Sequence, residues 1–172
     1  MKISIAELAK CAVLAMAIVP SDAKAWTEST TFKDTTVLVS DNHVALICGT
    51  YNIPVAIANP TTKQILINQP FTLLARRVQI AILYHEYAHL KLKHKMTIID
   101  LLKRIIHGGA RGKQLQYELE ADAYSVKKGY GKELRMYLRY INYYISLEPI
   151  PEITTRIEAI QKGIKDVQKT NL

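Results

Sequence analysis

His85 and His89 lie four residues apart in the run ILYHEYAHLKLKH, residues 82–94, and Glu86 sits between them. On a helix that spacing puts both imidazoles on one face. The same face runs through Phe71, Leu74, Val78, Ile82 and Leu92 at three- and four-residue steps, so the rings point into the protein and away from water. Two buried imidazoles one turn apart need a common partner, and a zinc ion approached from one side satisfies both. Glu86 stands about 100° round the helix from His85. It flanks such an ion without having to bind it, the place for a general base acting on an activated water. The competing reading is two core histidines bonded to backbone carbonyls.

A catalytic zinc takes three protein ligands and keeps an open position for water. The run QYELEADAYSVKK, residues 116–128, contains the third. Glu118 and Asp122 share one helical face with Ala121, which is small enough to let this helix approach the first, and Glu120 lies on the other side. Glu118 is then the expected ligand, one zinc per chain, with Asp122 accepting the remaining N–H of a ligand histidine and fixing its tautomer. Alone, this run would read as an exposed acidic face. His94 lies five residues beyond His89 and off the metal face, which predicts a solvated helix end, and His43 falls in a turn.

The elements that must position these groups follow from patterning. From Thr35 to Asn68 short β-branched runs (TTVLVS, VALICGT, VAIA, QILIN) alternate with turn residues such as Asn59-Pro60, which predicts a small antiparallel or mixed sheet of three or four strands. After Pro70 the period becomes helical, giving one long helix from Phe71 to Leu92. An amphipathic piece, residues 96–106, leads into a glycine-rich break, and helices resume over 113–128, 132–147 and beyond Pro151. The fold class is α+β: a small N-terminal sheet followed by a helical bundle carrying the zinc site between its first and third helices. Five tyrosines between Tyr130 and Tyr144 read as core and rim packing.

Residues 1–25 read as an export leader. Lys2 and Lys10 precede an apolar run, Cys11–Val19, followed by Pro20 and the Ala23-Lys24-Ala25 cleavage pattern. That run is short of the ~20 residues that cross a bilayer. Residues 26–172 form one domain, expected in the periplasm or secreted. The chain has 172 residues, 49% apolar and 22% charged, which excludes overall disorder. Residues 1–25 take three lysines and two acidic groups, leaving 20 basic against 13 acidic side chains, net +7. Such a surface suits peripheral contact with anionic membrane or envelope polymers. No phosphate loop or nucleic-acid module is visible, so nucleic acid is not an expected partner. Cys48 remains alone, so no internal disulfide forms and the core, the metal or both hold the fold together.

With H85-E-Y-A-H89 and E118-L-E-A-D122 followed by Ala123-Tyr124, the sequence resembles the gluzincin metallopeptidases, and more closely the family of the CAAX prenyl proteases and the bacterial heat-shock membrane peptidase. The segment PEITTRIEAI is similar to that family's His-Pro-x-x-x-x-Arg segment, with Pro151 and Arg156 in register and Ile150 where the family has histidine. The resemblance runs from about Ile65 to Ile160 and implies a compact, exported relative without the family's membrane helices. It implies a zinc endopeptidase acting on polypeptide, with Glu86 as the base and His85, His89 and Glu118 as ligands. Tyr124, Arg156, His107 and Tyr130 are the candidates for oxyanion or substrate contacts. QILIN is either a sheet edge that receives an extended peptide or an interior strand. Two other functions fit the motifs: a catalytically silent zinc-binding adaptor or inhibitor-like module of the cell envelope, and an amidase acting on cell-wall peptides.

Overall fold

Thr35 and Val37 on one strand and Ile65 and Ile67 on another alternate with more exposed neighbours, and these four inward side chains bring the two strands together in the core. The computed structural model describes residues 29–39, 55–94, 112–142 and 149–170. The expected leader, the strand at VALICGT, Cys48, His43, the amphipathic piece at 96–106, His107, and residues 143–147 of the helix expected over 132–147 lie outside the described residues.

Four strands form one mixed sheet: β1 Ser29–Phe32, β2 Thr35–Val39, β3 Ala56–Asn59 and β4 Gln64–Ile67, in the order β1-β2-β4-β3. β1 and β2 make an antiparallel hairpin, β2 and β4 pair in parallel with Val37 opposite Ile65, and β3 returns antiparallel beside β4. The turn from β3 to β4 is held by Asn59, whose Oδ1 accepts from the backbone N–H of Thr61 and of Thr62, and it closes through Lys63 at φ 54°. β4, the QILIN strand, is therefore interior. Among the described residues β3 is the edge on that side.

Helices follow: α1 Gln69–Thr72, α2 Arg76–Lys91, α3 Lys113–Lys127, α4 Gly131–Tyr140 and α5 Pro151–Thr170. The single helix expected from Phe71 to Leu92 is in fact two. Asn68 caps α1 by accepting the Phe71 N–H at 3.1 Å, and Ala75 takes extended backbone (ψ 139°) before α2 begins. Gln79 reaches back to bond the carbonyls of Phe71 and Thr72 at 3.2 and 3.1 Å, filling acceptors that a continued helix would have used. Phe71, Val78 and Ile82 still share one buried cluster, so the apolar period survives the break that it could not report.

The sheet's inner face packs on α1 and α2 through Val37, Ile65, Ile67, Phe71 and Leu83. A second cluster joins α2, α3, α4 and α5 through Ala81, Val126, Leu134, Leu138, Ile153 and Ile160. Ala81, Ala88, Ala121 and Ser125 are fully buried, and Ser125 Oγ donates to the Ala81 carbonyl at 3.0 Å, so α2 and α3 approach through small side chains. This close contact lets groups on the two helices meet. No helix among the described residues is long and apolar enough to cross a membrane.

Candidate metal centre

α2 carries His85 and His89 on the face turned to α3, and α3 presents Glu118 opposite them. Nε2 of His85 lies 3.1 Å from Nε2 of His89 and 3.3 Å from Glu118 Oε2, and His89 Nε2 is 3.9 Å from Glu118 Oε1. Ligand bonds of ~2.0–2.2 Å in tetrahedral arrangement place neighbouring donor atoms roughly 3.3–3.6 Å apart, so these separations suit one shared cation. His85, His89 and Glu118 could thus hold a metal ion.

Outer contacts set the orientation of these donors. His85 Nδ1 is 2.7 Å from Asp122 Oδ1, close enough for a strong electrostatic pair though not aligned as an ideal hydrogen bond. Asp122 is 1% exposed and is gripped on its other side by Arg156, whose Nε and Nη2 donate to its two oxygens at 2.8 and 2.9 Å. The Arg156 Nη1 atom lies 2.8 Å from Glu118 Oε2 and 3.5 Å from Glu152 Oε1. The structure thus commits the Arg156 guanidinium to three buried carboxylates, with only 6% of the residue exposed. It ties α5 to the ligand-bearing helix, and the position is that of a brace. Tyr124 stands elsewhere, beside Tyr84 and Tyr87, with Lys91 Nζ donating to its hydroxyl at 3.3 Å. Tyr130 stacks on Tyr84.

Glu86 leaves the imidazole face for the sheet. Its Oε2 accepts the backbone N–H of Ala58 on β3 at 2.8 Å, and Oε1 stays 4.0 Å from His85 Nε2. The carboxylate is thereby held between the edge strand and the candidate centre. Burial pushes Glu86 up to about 7; the charge on His85 opposes the rise and that on Glu118 adds to it. Tyr137 belongs to the same neighbourhood: burial, with the charge of Glu86 next, raises its phenol above the ordinary value and keeps it an O–H donor.

In His85, burial disfavours the charge, but Asp122 and Glu118 outweigh burial and raise the imidazole to about 10. Burial and then the charge of His85 lower His89 to about 3. Burial would raise Asp122, yet Arg156 and His85 prevail and hold it below its usual range. A proton on His85 thus places positive charge between the carboxylates of Glu118 and Asp122.

His94 departs from the solvated helix end expected of it. It is buried, its Nδ1 lies 2.9 Å from Nδ1 of His89, and its Nε2 lies 2.9 Å from Glu120 Oε2. Helical spacing could not place it, because α2 ends before it and Lys93 reverses the chain at φ 57°. Arg156 had a partial signal in its register with the resemblance, and Tyr137 had none beyond the tyrosine-rich stretch. Comparison of the chain with protein-family models, with curated proteins and with solved structures gives no match.

Proposed function

We propose that this chain is an exported zinc-dependent endopeptidase. The observation that carries the reading is the placing of Glu86, mostly buried, beside a two-histidine, one-glutamate donor set and fastened to the edge of the sheet. Two imidazoles and a carboxylate are a zinc donor set, and three protein ligands leave room for a fourth that is not protein. The resemblance of the two motifs to those of gluzincins supports the same reading.

Zinc held by His85, His89 and Glu118 would supply a Lewis acid that polarises a carbonyl and acidifies water. The chain's own residues supply the rest. Glu86, with its carboxyl raised to about 7, accepts a proton from the attacking water and returns it to the leaving amine. The Ala58 N–H holds Oε2 in place, so Oε1 is the oxygen turned toward the reaction. Asp122 and Arg156 keep His85 and Glu118 aligned. Tyr137 is a hydroxyl within electrostatic reach of Glu86 that stays protonated, and it joins the donor candidates for a developing oxyanion. β3, the edge strand, offers main-chain groups to an extended polypeptide, which the interior β4 does not. A base placed beside the donor set favours hydrolysis over a binding module, which has no use for one.

The test is Glu86→Gln in the full chain, since glutamine keeps an oxygen for the Ala58 N–H. Zinc content should match the wild type and melting temperature should match or exceed it, while casein digestion falls by roughly 10²-fold or more, the scale of general-base loss. Digestion at the wild-type rate, or digestion indifferent to chelator, refutes the proposal. Glu118→Ala should release the metal.

A further inference from the structure

His85 has its outer partner in Asp122, whereas on sequence grounds His89 has none. The structure supplies one from past the end of α2. After Lys93 turns the backbone, the His94 N–H bonds the His89 carbonyl at 2.9 Å, and the ring folds back against the helix it has just left. Tyr117 of α3 stacks on that ring at 4.2 Å with 12° between planes, so its orientation is set from both helices. Its two nitrogens then meet His89 Nδ1 and Glu120 Oε2, each at 2.9 Å. Glu120 is anchored in turn by Gln116, which donates to Oε1 at 2.8 Å.

A contact between two Nδ1 atoms of neutral imidazoles can run in either direction, and the carboxylate chooses between them. An ionised carboxylate only accepts, so His94 must carry its proton on Nε2. Its Nδ1 is then an acceptor, and His89 must donate from Nδ1. That leaves Nε2 of His89 unprotonated, on the atom that faces His85 and Glu118. The reverse direction would put a proton where a ligand lone pair is needed.

We propose that His94 and Glu120 form a positioning relay that fixes the tautomer and orientation of His89 for metal binding. The relay rests on the metal-site reading above. Three acidic residues of α3 then divide the work: Glu118 binds the cation, Asp122 orients one histidine, and Glu120 orients the other through His94. Helical geometry turns Glu120 away from the centre, and His94 spans the distance that this leaves.

The experiment is a zinc competition titration of the full chain against a chromophoric chelator, together with imidazole nitrogen NMR of the zinc-loaded protein. Outer partners of ligand histidines are worth about 10–100-fold in metal affinity, and His94→Ala should lose that much. Glu120→Ala removes a side chain 43% exposed, which folding does not require, and should lose about threefold or more by breaking only the outer link. His94→Gln, whose carbonyl oxygen accepts in place of Nδ1, should recover part of the loss. In the wild type the spectra should show His89 protonated on Nδ1, with that signal shifted in His94→Ala. A purely structural role for His94 would lower melting temperature and leave that signal alone. Wild-type affinity in both alanine variants, or His89 protonated on Nε2, overturns the relay. A wild-type chain that takes up no zinc overturns the metal reading with it.

Discussion

Exchanging Arg156 for methionine removes the brace while keeping side-chain length. In the wild type its three nitrogens meet Asp122 at 2.8 and 2.9 Å, Glu118 at 2.8 Å and Glu152 at 3.5 Å, all of them buried. Without the guanidinium, Asp122 keeps only His85, and Glu118 and Glu152 lose this partner. Removing one side of a buried ion cluster typically costs about 3–5 kcal/mol. At about 2–4 °C per kcal/mol for a chain of this size, the metal-free melting temperature should drop by roughly 10 °C. The loss carries a pH signature. Arg156 and His85 hold the Asp122 carboxyl below its ordinary range, so its contribution is present above the unfolded-state value of 3.8 and fades as pH falls through the lower folded one. Acid also neutralises the carboxylates that lose the guanidinium in the variant, so the gap between variant and wild type should narrow below about pH 4. Adding Asp122→Asn to the variant should cost less than it costs alone, since the two groups interact directly. The assay is thermal melting by circular dichroism in chelator from about pH 3 to 8. A variant within about 2 °C of the wild type, or a gap that ignores pH, refutes the view that this ion cluster locks α5 to α3.

Two further predictions concern the metal-free chain and its packing. His85 is raised from 6.5 to about 10, so its stabilising contribution is complete below pH 6.5 and is lost as pH climbs through 10; between 4.5 and 6.5 the fall from Glu86, raised to about 7, is offset by the rise from His89, lowered to about 3, so the net decline begins near pH 6.5. Melting temperature in chelator should therefore decline from mildly acidic to alkaline pH, and a steady rise over that range would contradict the charge assignments. A Cβ on Gly131 would stand 2.9 Å from both Ile164 Cγ1 and Val126 Cγ2. Gly131→Ala should lower stability in a urea titration by about 1–2 kcal/mol, overpacking outweighing the helix gain, and Ile164→Val should relieve part of it; a stabilised variant would mean that α4 has room to move.

Within one helix, spacing reported what spacing can. His85 and His89 one turn apart, and Glu118 with Asp122 on one face of α3, follow from 3.6 residues per turn, and alternation in β2 and β4 marked the inward side chains. The four-stranded mixed sheet and helical region match the α+β class read from those patterns. Register between elements is a different matter. That β3 and not β4 is, among the described residues, the edge beside Glu86 depends on a parallel pairing of β2 with β4, which local pattern does not encode. The break at Leu73–Ala75 escaped because both pieces bury the same stripe, and only the side chain of Gln79 shows where the backbone bonds end. The partners of His94 and Arg156 escaped for a related reason. His94 lies past a chain reversal and Arg156 on a helix 34 residues beyond its partner Asp122, and periodicity measures angle about a single axis. The sequence by itself determined which groups could bind a cation and which way they face on their own helices. Tertiary packing alone decided what stands behind each of them, because a partner across a helix interface is set by how two surfaces of small side chains meet.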